Sequence, residues 1–380
     1  MKDTEKKLLG IVTISEIVLF ASAIFSYLSF TFLPYLLIVI IFFKVCVSLL
    51  ANSLLFVLIL FTLKEKNTNT LISFGIVLGI LTLSPSMIIA GIMMNKAVSQ
   101  NKASDTGKFK LLFENKECEK CGASYDIVEP YCPKCKTRNT DVKKYKINQT
   151  ITWLPFWKQI GFFAIGFLGL NILSIIVTIF LPMMVDPESV TYLMLNNTIC
   201  YFVVFFVMIL FLIGGYRQAF KSFKKWYAYF VGIAAGIFLI IFSISYNLIT
   251  NILIESGTNA NQSAANDMMK SYPLISLLLI GIVGPIVEEF TYRVGLFSFL
   301  RRINVWVAYL VTIVFFTFIH FNFDTSNLLQ EFISLPNYIV AGLVFCILYD
   351  KIGLSASITA HITNNFTAAV FTILVTLLTK

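Results

Sequence analysis

Ten apolar runs, at about 8–29, 36–63, 71–94, 153–183, 193–215, 228–254, 273–299, 304–322, 329–349 and 354–378, restrict this 380-residue chain more than any other feature. Each approaches or exceeds the roughly 20 residues an α-helix needs to cross a bilayer. Hydrocarbon offers the backbone no hydrogen-bond partners, so such runs are expected to be helical. Composition agrees: the chain is 58% hydrophobic and 13% charged, against about 45–50% and about 25% in soluble domains. The expected fold class is an all-α polytopic membrane protein of about ten transmembrane helices with one small polar insert.

The net charge of +9 fits basic residues flanking membrane spans, and a nucleic-acid partner is not expected. With ten spans, Lys and Arg gather on one side: in the insert 95–150, at Lys158, around Arg217, Lys221, Lys224 and Lys225, at Arg301 and Arg302, and at Lys351. The positive-inside rule makes that side cytoplasmic and puts both termini outside. The first run is too long for a signal-peptide core and reads as a retained span. Glu16 and Lys44, inside the first two runs, read equally well as snorkelling or ion-paired groups and as functional ones. The chain thus divides into N-terminal transmembrane helices (1–95), a cytoplasmic insert (96–150) and a seven-helix region (151–380). The outside loop Glu255 to Ser271, rich in Ser, Asn and Ala, reads as flexible. The Lys-, Asn- and Ile-rich composition of the whole chain suggests a bacterial source, and so a bacterial plasma membrane.

The insert contains Cys118-Glu119-Lys120-Cys121 and, ten residues on, Cys132-Pro133-Lys134-Cys135. Two CxxC turns can present four thiolates to one tetrahedral ion, the pattern of a closed structural zinc site. So small a module buries little core, and metal binding would supply most of its folding free energy. A zinc ribbon of this kind is also a possible docking point for a protein partner. Cys46, Cys200 and Cys346 stand singly in apolar runs, where a thiol packs as a small hydrophobe.

Charges also interrupt the seventh run, Gly284-Pro285-Ile286-Val287-Glu288-Glu289-Phe290-Thr291-Tyr292-Arg293. Ionisable groups at membrane depth are costly and usually functional. Glu289 and Arg293, four apart, share a helix face and can pair, whereas Glu288 points about 100° away. Gly284-Pro285 should kink the helix one turn earlier and free a carbonyl. The two histidines of the chain, His320 and His361, fall in later apolar runs, and Asn365 follows His361 by one turn. Ser357 and Thr317 lie a turn before the histidines and read as packing hydroxyls. Glu288, His320, His361 and Asn365 can together deprotonate a water and stabilise an oxyanion through imidazole and carboxamide donors. Glu288, His320 and His361 can instead ligate a catalytic metal, and spacing leaves both open.

In order, Glu288-Glu289-xxx-Arg293, Phe316-xxx-His320 and His361-xxx-Asn365 resemble the three motifs of the CAAX protease and bacteriocin-processing (CPBP, or Abi) family. The resemblance implies that residues 151–380 form a membrane protease domain. It implies that Glu288 activates water, that Glu289 and Arg293 support it, and that His320, His361 and Asn365 complete the site. Many members follow the arginine with glycine; here Val294 intervenes before Gly295, which puts close helix packing there in question. The expected function is cleavage of a membrane-associated peptide or protein within the lipid bilayer. A non-catalytic membrane scaffold is the alternative, and it has no need of the polar set. One geometric tension stands. At about 1.5 Å per residue, Glu288 lies roughly 20 Å and His320 roughly 27 Å from the Arg301 loop, but His361 only about 12 Å from the Lys351 loop. A shared site therefore needs tilt, a kink or helices that begin deeper.

Overall fold

The computed structural model describes residues 112, 113, 115–254, 258–322 and 328–379. The first three apolar runs, with Glu16, Lys44 and Cys46, lie outside the described residues. From Leu111 onward the chain forms one compact unit.

Seven long or apolar helices follow the insert, close to the expected runs. They are α1 (Phe156–Phe180), α2 (Val190–Phe211), α3 (Trp226–Ile254), the composite α5 (Pro273–Arg301), α6 (Val305–Phe318), α7 (Leu328–Lys351) and α8 (Leu354–Leu378), with α4 (Ala260–Ser271) between α3 and α5. All except α4 and α6 are long and apolar enough to span a bilayer. The chain is a polytopic all-α membrane protein. Within its most apolar stretch α5 is 61% buried, against 11–28% for the other five spans, so the remaining helices surround it. Outward-facing Ile175, Phe206, Ile241, Ile244 and Phe371 are exposed, as a lipid-facing surface requires.

Small residues set how closely the helices approach. Gly232 and Gly236 on α3 lie so near α8 that an added Cβ would meet the Thr359 and Thr363 side chains at 2.7 and 2.6 Å, and the Ala356 and Ala360 carbonyls at 2.8 Å. This small-xxx-small pair lets the backbones touch and fixes the helix that carries His361. Gly295 on α5 does the same against α1, where a Cβ would stand 2.6 Å from the Phe163 backbone nitrogen. The close packing put in question by Val294 is therefore made one residue later, while Val294 itself is fully buried. Gly295→Val is expected to lower stability by about 1–3 kcal/mol, because backbone atoms cannot move aside. Thermal unfolding in detergent measures it, and an unchanged Tm would contradict the packing.

Two expectations are corrected. Residues 260–271 are helical rather than flexible: the Asn259 side chain caps the helix by accepting from the Gln262 N–H, and Met268 and Met269 are buried. Glu331 on α7 also accepts from the Ala260 N–H at 2.9 Å. The second correction concerns α6, which ends at Phe318, so His320 sits in the turn just beyond it rather than within a helix.

The insert folds as a hairpin of β1 (Asn115–Glu117) and β2 (Ser124–Asp126), paired antiparallel with Lys116 opposite Tyr125. Each CxxC forms a tight turn closed by a backbone bond to its first cysteine, from Gly122 to Cys118 (2.8 Å) and from Lys136 to Cys132 (3.0 Å). Gly122 and Lys136 both take positive φ, 68° and 60°, a conformation that costs glycine nothing.

Candidate functional site

The polar set is built mainly on α5, whose hydrogen-bond register changes on both sides of the carboxylates. A π-helical stretch, Leu279–Val283, precedes the α-helical Gly284–Glu289, and a second, Phe290–Phe297, follows it. Such π segments are rare and favour functional sites. Pro285 has no N–H for the preceding turn. There the Asn365 amide donates to the Ile280 carbonyl (3.4 Å). The expected interruption thus takes the form of a change of register, with α8 approaching closely: a Cβ on Gly281 would lie 3.2 Å from the Phe366 Cα.

His361 lies between the two glutamates. Its Nδ1 is 2.9 Å from Glu289 Oε1 and its Nε2 is 3.7 Å from Glu288 Oε2. Glu289 is wholly buried; Ser357 donates to its other oxygen, and Arg293 stands 3.3 Å from Oε1. The guanidinium is also wholly buried, set over the rings of Phe316 (4.7 Å) and Phe345 (5.2 Å). Its nitrogens make no aligned hydrogen bond, so charge pairing and the aromatic faces hold it. Removing one member of a buried pair strands the other, at a cost of about 3–5 kcal/mol. Glu289→Gln is accordingly expected to lower Tm sharply, whereas an equally stable variant would show that the pair is not holding the helices.

Glu288 is differently placed. Its side chain keeps 12% exposure, Oε1 accepts from the Tyr201 hydroxyl on α2 (3.5 Å), and Oε2 accepts no protein hydrogen bond. His320 joins the site from the turn just after α6. Its Nδ1 is 2.8 Å from the Phe316 carbonyl, and its ring stacks on Tyr338 of α7 at 4.5 Å. The Phe316 ring touches both imidazoles, at 5.1 Å from His320 and 5.9 Å from His361. The depth mismatch therefore resolves with one ring, Phe316, touching both histidines.

A carbonyl only accepts, so His320 carries its proton on Nδ1 and presents a bare Nε2 when neutral; Glu289 imposes the same tautomer on His361. Neutral imidazoles arranged in this way accept hydrogen bonds rather than donate them. The expectation was of imidazole donors; the Asn365 amide supplies an N–H donor that does not depend on the tautomer. Sequence reasoning assigned Ser357 to packing and passed over Tyr201, Tyr338 and Phe345. Only Ser357, one turn before His361, carried a local signal.

In the insert, Cys118, Cys121, Cys132 and Cys135 bring their sulfurs within 4.8 Å of one another. The cross-pairs Cys118–Cys135 and Cys121–Cys132 are 3.4 and 3.6 Å apart. About 3.8 Å separates neighbouring sulfurs around a tetrahedral ion with bonds of about 2.3 Å, so the quartet fits a metal. The Thr137 hydroxyl beside Cys135 holds that thiol down to about 6. Among the described residues this is the one group of three or more such side chains arranged to hold a metal ion.

Residues 270–367 match the family model described as type II CAAX prenyl endopeptidase Rce1-like. Two curated relatives come from Lactococcus lactis. The UPF0177 protein in the abiGi 5' region, from subspecies cremoris, is 29% identical over 114 residues, covering 30% of this chain and 48% of its own. The UPF0177 protein YvdC, from subspecies lactis, is 26% identical over 113 residues, covering 30% and 41%. The chain thus spans less than half the length of these relatives. No solved structure matches it. The matched segment contains Glu288, Glu289, Arg293, His320, His361 and Asn365, and over residues 270–367 the chain is similar to the Rce1-like type II CAAX prenyl endopeptidases.

Proposed function

We propose that this chain is an intramembrane endopeptidase in which Glu288 activates the attacking water. The observation that carries the reading is the unequal treatment of adjacent glutamates: Glu289 is tied to Arg293, His361 and Ser357, while Glu288 keeps an oxygen free of protein donors. A water there gives one proton to Glu288 and directs the other at an imidazole Nε2, of His361 or His320. Its oxygen attacks the scissile carbonyl carbon. The second N–H of the Asn365 amide polarises the carbonyl oxygen, and the proton held by Glu288 passes to the leaving amine as the C–N bond breaks. Glu289 and Arg293 act by orienting His361. Glu288 Oε2 and His361 Nε2 stand 3.7 Å apart, a spacing at which one water can donate to both.

The substrate class is a peptide or protein segment held at the membrane. The four-cysteine ribbon binds structural zinc on the cytoplasmic side of a bacterial plasma membrane and offers a surface for a protein partner. Residues 1–95, 96–150 and 151–380 then serve as accessory helices, ribbon and protease domain. Comparing wild type with Glu288→Gln for processing of membrane-associated peptides tests the reading. Full processing by the variant would leave the scaffold alternative standing.

A further inference from the structure

Arg302, just beyond α5, is buried completely, yet the proposed chemistry does not use it. Its five guanidinium hydrogens all find acceptors. Nε donates to Gln159 Oε1 (2.7 Å), one terminal nitrogen to the Leu112 carbonyl and Asp126 Oδ1 (3.2 Å), and the other to Asp126 Oδ2 (2.9 Å) and the Leu154 carbonyl (2.8 Å). The Arg302 carbonyl accepts from the Leu112 N–H (3.0 Å). Asp126 is the last residue of β2, and the turn joining β2 to β1 is the first CxxC. A bidentate ion pair therefore links the four-cysteine hairpin to the end of the helix bearing Glu288.

The connection continues inward. Four residues before Arg302, Ser298 donates to the Arg293 carbonyl (2.9 Å) and bonds the Tyr349 hydroxyl (2.6 Å). Tyr349 accepts from the Thr152 N–H (3.1 Å), at the chain leaving the insert. Arg293 pairs with Glu289, which orients His361. The second π segment, Phe290–Phe297, lies between these anchors and the carboxylates.

We propose that Asp126 and Arg302 are positioning residues through which the metal-bound ribbon fixes the Glu288 helix. This rests on the metal reading of the four cysteines. With metal, the hairpin holds Asp126 against Arg302. Without it the hairpin loses its main source of folding free energy, Asp126 is released, and a buried guanidinium is left uncompensated. The end of α5 then loosens, and with it the Arg293–Glu289–His361 alignment. The ribbon is the element with two states that such coupling requires.

The test is hydrogen exchange, with metal content, on the full chain in lipid nanodiscs. Three samples are compared: zinc-loaded wild type, chelated wild type and zinc-loaded Asp126→Asn. Amides of residues 294–303 are expected to exchange on the order of tenfold faster or more in the last two, as loss of a buried charge partner implies. Amides of α2 should not change, and Asp126→Asn should keep its zinc. In peptide cleavage this variant should lower kcat and leave KM unchanged. Unchanged exchange at 294–303 in metal-free protein would overturn the coupling while sparing the zinc site. Wild type that binds no zinc would instead remove the metal reading, and the coupling with it. If Asp126→Asn does not fold, the chelated wild type decides.

Discussion

Glu288→Gln is expected to lower cleavage of a membrane-associated peptide by about 10²–10⁴-fold, the contribution of a positioned general base, while thermal stability stays near wild type. The fold should survive because Gln is nearly isosteric and satisfies the same neighbours. Its carbonyl can accept from the Tyr201 hydroxyl, and its amide can face the bare Nε2 of His361. Glu289→Gln makes the contrast, since that carboxylate has Arg293, His361 and Ser357 around it and its loss strands a buried guanidinium. One substitution should therefore separate from the other: at position 288 activity falls without instability, and at position 289 both fall together. Purified protein, a quenched peptide in vesicles and a melting curve are sufficient. A Glu288→Gln protein that cleaves at the wild-type rate would sink the water-activation mechanism.

The sequence showed this division only in part. Spacing alone put Glu289 and Arg293 on one face and turned Glu288 away, because adjacent helical residues diverge by about 100°. It could not show His361 bridging the two glutamates, since that depends on how α8 docks against α5. A neighbouring contact, of α3 on α8, had a readable signal in Gly232-xxx-Gly236. Register changes such as the π segments of α5 carry no hydrophobic pattern of their own, and the Pro285 interruption pointed only to their location. His320 was placed inside a helix because residues 319–322 continue the apolar run, and hydrophobicity does not mark where backbone bonding ends. Helix α4 was missed for the opposite reason: it is polar and short, and caps and tertiary contacts hold it rather than periodicity. Arg302 looked like one more cytoplasmic positive charge. Its burial against Asp126 depends on a contact between residues 176 positions apart, which no local window contains.

Removing metal should have the other large effect. The full chain is expected to carry one zinc per molecule, and Cys132→Ser to carry none. Cys118 and Cys132 are buried, and the hydrophobic cluster of the hairpin consists of those two cysteines and Tyr125, with Cys121, Ala123 and Cys135 packed around them. So little apolar surface cannot outweigh the backbone entropy of ordering the segment. Zinc bound by such a quartet contributes on the order of 10–16 kcal/mol at neutral pH, and little of the fold can remain without it. Chelation should therefore expose residues 115–138 to limited proteolysis while the seven-helix region stays resistant. Cobalt added to the stripped protein should give the absorption bands of a tetrahedral tetrathiolate site. Protein that purifies without metal, or whose insert resists protease equally with and without chelator, would show that the cysteines pack as thiols. The 3.4 and 3.6 Å cross-pairs argue otherwise. Four sulfurs at tetrahedral spacing, carried on two matching turns, are an arrangement that packing alone does not require.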